Sequence, residues 1–261
     1  MTHLLHFALS TLPHVGGRVL SLRSFLFVFA FAVLAAFDCA QAGVLDLWTF
    51  ELSQPAGSGR DSGPYSPEIG IGAASGHHAS LSTAWSSPVG NASAHSYNAN
   101  NWSVGDYWQF SLSTLGNKSL QISFDTVGTD TGPANFKIAY STNGTAFTDF
   151  ANYSVVSLNW SVSKPYPSTT RSFDLSSITA VNNQPSVYFR LIDTSSIAIS
   201  GGNVTSGGTN RIDNFEVDAV PEPRTWAAAG LTAGAIACAE RQRIVRFIRR
   251  RRTPGMAERG A

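Results

Sequence analysis

The stretch YWQFSLSTLGNKSLQISFDT, residues 107–126, places an apolar side chain at every second position twice over. Trp108, Phe110 and Leu112 fall on one side of the first half, and Leu120, Ile122 and Phe124 on one side of the second. A period of two is the signature of a strand with one face buried and one wet, and Leu115–Lys118 between the halves carries the Gly-Asn of a turn. Gln121, Ser123 and Asp125 make the wet face of the second half. This stretch therefore reads as a pair of half-buried strands.

The same pattern extends in both directions. Val44–Phe50 opens it, and Phe136, Ile138 and Tyr140 alternate downstream, followed by Asn143-Gly144, a turn dipeptide that tolerates positive φ, and then Phe147 and Phe150. Tyr153–Trp160, Arg171–Leu175, Val187–Ile192, Ile197–Ile199 and Arg211–Val217 complete the strand candidates. No long segment of residues 43–219 shows helical periodicity. Some nine or ten short strands (roughly) in one body predict an all-β fold, a single jelly-roll-like β-sandwich. Residues 54–100, rich in Gly, Ser, Ala and Pro, are expected to form long loops with one or two strands.

Composition narrows the function. Charged residues are only 13% of the 261, and they are segregated. Residues 43–219 carry seven basic and thirteen acidic side chains, whereas residues 220–261 carry nine Arg and three Glu. An acidic body excludes binding to a phosphate backbone, so no nucleic-acid partner is expected. Cys39 and Cys238 both lie outside the body, which excludes a disulfide framework or cysteine zinc site there.

The two ends carry sorting chemistry. Arg18 and Arg23 precede the apolar run Phe25–Phe37, and Ala40-Gln41-Ala42 follows as a small-x-small cleavage site. Thirteen helical residues reach about 20 Å, short of the ~30 Å of a bilayer core. Residues 1–42 are thus expected to be a secretory signal peptide, read by the Sec translocon and cut by signal peptidase after Ala42. Lipid attachment at Cys39 is discounted, because Asp38 stands where a small residue belongs.

At the other end, Val220-Pro221-Glu222-Pro223 leads to Trp226, a small apolar stretch to Ala239, and then Arg241, Arg243, Arg246, Arg249, Arg250, Arg251 and Arg252. The prolines favour an extended, accessible segment, Trp226 suits a membrane interface, and the arginines hold the cytoplasmic side. Residues 220–252 resemble the PEP-CTERM sorting signal of Gram-negative bacteria. That resemblance implies recognition and processing by an exosortase, transient residence in the inner membrane, and a final place at the cell surface or outside it. The apolar stretch is 14 residues and rich in Ala and Gly, nearer an interfacial segment than a full transmembrane helix. Residues 253–261 are expected to be a disordered tail.

The body also resembles jelly-roll modules of secreted bacterial proteins, through Leu47–Glu51, Asp106–Ser111, Tyr140–Thr145 and Thr209–Phe215. Its chemistry is sparse. His77 and His78 are adjacent and would point to opposite faces of a strand, and His95 stands apart, so metal-ligand spacing is missing. No nucleophile elbow, His-Glu-x-x-His or phosphate loop occurs, and no catalytic residue is assigned.

No motif demands a cofactor. The one candidate is a structural calcium ion held by Glu51 after the first strand and Asp213 in the last, with Asp125 and Asp130 as a further acidic edge; the alternative is solvated surface acids. Tyr97 and Trp102, flanking Asn98–Asn101, are the candidate glycan platform, with core packing as the alternative for Trp102. The sequence predicts an exported, non-enzymatic surface or matrix protein, with exopolysaccharide or biofilm association implied by the sorting family. A carbohydrate-binding or calcium-dependent adhesion module is the second reading, and a glycan hydrolase with scattered carboxylates the third.

Overall fold

The computed structural model describes residues 41–222, Ile236 and residues 239–243. Thirteen strands form two sheets: β1 (Gly43–Trp48), β2 (Gly57–Ser58), β3 (Asp61–Tyr65), β4 (Ala73–His77), β5 (Ala84–Ser86), β6 (Tyr97–Ala99), β7 (Tyr107–Leu112), β8 (Asn117–Gly128), β9 (Asn135–Ser141), β10 (Thr148–Ser154), β11 (Thr170–Asp174), β12 (Val187–Asp193) and β13 (Asn210–Pro221). One sheet has the order β11-β8-β13-β6-β5-β2, and the other β10-β9-β12-β7-β4-β3. Every strand pair is antiparallel.

The long strand β13 organises the first sheet. It pairs with β8 along one edge, and on the other with β6 over residues 210–212 and with β1 over residues 215–219. The first and last strands of the body are therefore neighbours, with Gly43 opposite Ala219. Between Asp213 and Glu216 the register with β8 shifts, and Asn214 takes a left-handed φ of 49°. Such a bulge re-aims the side chains beside it.

The alternating residues meet between the sheets. Trp108, Phe110 and Leu112 of β7 and Leu120, Ile122 and Phe124 of β8 are all buried. The rings of Phe110 and Phe215, one from each sheet, stack at 3.6 Å between centroids, and Trp48 meets both edge-on at 5.2 and 5.8 Å. Burying one such ring contributes about 1.5–3 kcal/mol. Trp108, Tyr97, Trp85 and Trp102 form the other end of the core, where the Trp108 indole N–H donates to Asn210 Oδ1 at 2.9 Å.

Residues 54–100 depart from expectation, since they contain five strands where one or two were anticipated. These strands are short and built from Gly, Ser and Ala, which carry no apolar alternation for a sequence to display. Small residues serve a purpose there: a Cβ at Gly76 would stand 2.4 Å from the Trp85 ring. Conversely, Tyr153–Trp160 continues as a strand only to Ser154, and Ile197–Ile199 forms isolated bridges in a turn. The extended Val220-Pro221 pair is the end of β13, opposite Lys118 and Asn117, and Glu222 N–H donates to Gly116 O at 2.8 Å. The last strand thus ends at Pro221, inside the Val220–Pro223 motif.

Of the sorting residues, Arg18, Arg23, Ala40, Pro223, Trp226, Arg246 and Arg249–Arg252 lie outside the described residues. Arg241 and Arg243 are helical and exposed, and Arg243 lies 3.4 Å from Glu240. Among the described residues no helix is long and apolar enough to cross a membrane.

Candidate functional site

Alternation that buries one face of β7, β9 and β12 turns the other outward, half-buried along β7 and β12 and covered at Ala139 and Ser141 of β9. On this outer face of the second sheet, Gln109 lies opposite Arg190, and Ser111 opposite Tyr188. Across β12, Arg190 faces Ala139 and Tyr188 faces Ser141. Arg190 Nε donates to Gln109 Oε1 at 2.8 Å, and its Cζ stands 4.0 Å from the Tyr107 ring centroid and 3.9 Å from that of Phe147. His77 stacks on Tyr107 at 5.3 Å and pairs through Nδ1 with Asp61 at 2.6 Å. The result is a continuous stacked row of His77, Tyr107, Arg190 and Phe147.

The hairpin after β9 sets this row. Ser141 Oγ accepts the amides of Asn143 and Gly144, and Asn143 Oδ1 accepts those of Thr145 and Ala146. The turn needs the positive φ of Gly144, 75°, and a Cβ there would already meet the Tyr188 ring at 3.2 Å. Beyond Tyr188 the face continues into a groove of about 230 Å³, walled by Gly72, Ala73, Ser111, Pro185 and Tyr188. A partly buried aromatic beside a groove of mixed apolar and hydroxyl lining is an arrangement that can hold a sugar ring.

The acids chosen for calcium behave differently. Asp213 is fully buried, and its Oδ2 accepts Asn91 N–H at 2.8 Å and the Ser93 hydroxyl at 2.6 Å, while Oδ1 accepts Asn214 N–H at 2.8 Å. Glu51 Oε1 accepts His95 N–H at 2.8 Å. Both carboxylates therefore brace the loop of residues 91–95 from the strand pair β1 and β13. Burial pushes the Asp213 carboxyl up to about 7 against the pull of its three donors. Two amide protons and a hydroxyl proton face Asp213, a donor set that does not fit a cation. Among the described residues no group of three or more acids, histidines or cysteines is placed to bind a metal.

Asp125 likewise takes Asn214 Nδ2 at 2.8 Å and the Thr170 hydroxyl at 2.5 Å. Asp130 lines a separate polar groove with Thr129, Asn159 and Arg211. In place of the expected calcium pair the structure shows a hydrogen-bonded brace, in which Glu51 and Asp213 accept protons from the loop of residues 91–95 and the Ser93 hydroxyl bridges Asp213 and His95 O.

The glycan platform also moves. Tyr97 and Trp102 are 0% and 5% exposed. The Tyr97 hydroxyl donates to Ser62 O at 3.3 Å and the Trp102 indole to Ala99 O at 2.9 Å. Both rings are core, because the short strand β6 turns Tyr97 inward and the following loop tucks Trp102 against Trp108 and Phe136.

His77 and His78 do point to opposite faces. His78 is enclosed by Trp85, Trp102 and Trp108, and burial lowers it to about 3, so it is neutral despite Asp106 at 3.6 Å. The residues missed by sequence reasoning are Tyr107, Gln109, Arg190, Tyr188 and Phe147. For all but Phe147, which lies in the hairpin between β9 and β10, the signal available was their position between the buried residues of β7 and β12, where a polar face carried tyrosines and an arginine.

No family model matches the chain, and no curated protein matches it. Among solved structures it is similar to the K3 cleaved adhesin domain of Lys-gingipain from Porphyromonas gingivalis, with 11% identity, 67% of this chain and 98% of that one covered, and a TM-score of 0.37. It is similar also to the CBM22-1–CBM22-2 tandem domain of Paenibacillus barcinonensis Xyn10C, with 11% identity, 70% and 47% covered, and a TM-score of 0.39. A third is the N-terminal cellulose-binding domain of a Cellulomonas fimi β-1,4-glucanase, with 11% identity, 53% and 84% covered, and a TM-score of 0.33.

Proposed function

We propose that this chain is an exported, non-catalytic, jelly-roll-like β-sandwich that holds an extracellular polysaccharide on the outer face of its second sheet. The observation that carries the reading is the groove beside Tyr188, on the same outer face as the row of Gln109, Arg190 and Tyr107. Tyr188 offers a ring to the apolar face of a sugar, and Ser111, Gln109 and Arg190 offer hydrogen bonds to its hydroxyls. Export by the Sec translocon, cleavage after Ala42 and exosortase processing at the Pro-Glu-Pro motif belong to the same proposal. The signal-like segment, the VPEP motif and the arginine cluster support that part. On this reading the binding face lies outside the cell, beside exopolysaccharide.

The test is affinity electrophoresis of the purified chain through gels containing a panel of soluble polysaccharides. Retardation by at least one polymer is expected, lost in Tyr188→Ala and retained in Leu52→Ala, a change at an exposed residue that does not line the groove. Equal retardation of Tyr188→Ala and the parent chain on every polymer would remove the sheet face from consideration.

A further inference from the structure

Along β7, β9 and β12 the outer face carries two cations, Lys137 and Arg190. Lys137 is paired with Asp149 at 2.8 Å. Arg190 has no carboxylate partner within ion-pair distance among the described residues. Tyr107 and Phe147 hold its guanidinium between two rings, and Gln109 takes its Nε proton. Both Nη nitrogens are left without a protein partner and are not sealed from solvent. Stacking on both sides fixes the plane and direction of the fork, so little freedom remains to be lost when a ligand engages it.

A guanidinium stays charged at neutral pH and matches a carboxylate with two parallel hydrogen bonds. Tyr188 lies two residues along the same face of β12, about 7 Å away. That is about the span of one sugar ring and its exocyclic carboxylate. Resting on the sheet-face reading above, we propose that the ligand is a uronic-acid polysaccharide, its carboxylate held by the two Nη groups of Arg190 while its ring lies against Tyr188. The body's excess of acidic side chains, thirteen against seven basic, favours a single planar carboxylate per contact over a densely sulfated chain.

The experiment compares the full chain with Arg190→Gln, Arg190→Lys and Tyr188→Ala. The gels hold polygalacturonate, alginate, carboxyl-reduced polygalacturonate or dextran sulfate. Parent affinity for one or both uronans should fall roughly ten- to a hundredfold in Arg190→Gln, the scale of one charged hydrogen-bond pair. Arg190→Lys, which keeps the charge without the planar fork, should fall between the two, and thermal melts confirm that each variant is folded. The carboxyl-reduced polymer should bind the parent and Arg190→Gln alike.

Unchanged uronan binding in Arg190→Gln, with binding lost in Tyr188→Ala, would overturn the carboxylate contact and leave the sheet face standing. Tighter binding to dextran sulfate than to either uronan would overturn the choice of carboxylate. Binding to every polymer unaffected by Tyr188→Ala would instead overturn the reading beneath it.

Discussion

Asp213 makes the sharpest prediction, because its sign runs opposite to that of most carboxylates in folded proteins. The folded chain holds its proton to about 7, while an unfolded chain releases it near 3.8. Between those values the unfolded state binds fewer protons, so stability falls as pH rises. About three pH units at ~1.4 kcal/mol each give a loss of about 4 kcal/mol, complete above neutrality. Asp213→Asn removes the titration and keeps a neutral group of the same shape.

Asp193 is raised by burial to about 6, and burial raises Asp46 and Asp106 as well. Those groups tilt the profiles of both chains equally and cancel in the difference. Urea unfolding followed by tryptophan fluorescence, from about pH 4 to pH 8, supplies that difference. The parent should lead the variant most at the acid end and lose about 4 kcal/mol of that lead by the alkaline end. A constant difference would refute the reasoning. A lead that grew with pH would show that the donors Asn91, Ser93 and Asn214 outweigh burial, and that Asp213 is charged throughout.

Three further outcomes are expected. Gly76→Ala drives a methyl into the Trp85 ring and should cost about 1–3 kcal/mol, read as a lower urea midpoint. Trp102→Ala empties a core position and should cost about 3–5 kcal/mol while leaving polysaccharide affinity per folded molecule unchanged, which separates it from Tyr188→Ala. Mass spectrometry of the exported protein should find an N-terminus at Gly43, the first residue of β1, and a C-terminus at or beyond Glu222. A cut before Pro221 would require peeling β13 from β8, so recovering that product would refute the boundary.

What could be read in advance followed from how far each feature depends on local chain chemistry. The strands β7 and β8 were legible because their inner faces carry Trp, Phe, Leu and Ile at every second position, so local pattern and tertiary burial agree. The strands β2 to β6 were not, since Gly, Ser and Ala line positions where the opposite sheet supplies the bulk, as Trp85 does over Gly76. The same dependence on partners misplaced the site. Tyr97 and Trp102 looked surface-borne amid asparagines, yet they are the rings that fill the space left by those small residues.

Arg190 looked like one more charge on a strand. Its character comes from Phe147, forty-three residues earlier, and Tyr107, on a neighbouring strand, neither of which is near it in sequence. Glu51 and Asp213 show the limit most clearly. The first and last strands are neighbours, but whether converging acids hold a cation or a loop depends on which groups face them, and here those groups are the amides of Asn91 and His95. Inner faces can be counted from periodicity, whereas an outer-face site exists only once register has set its members side by side.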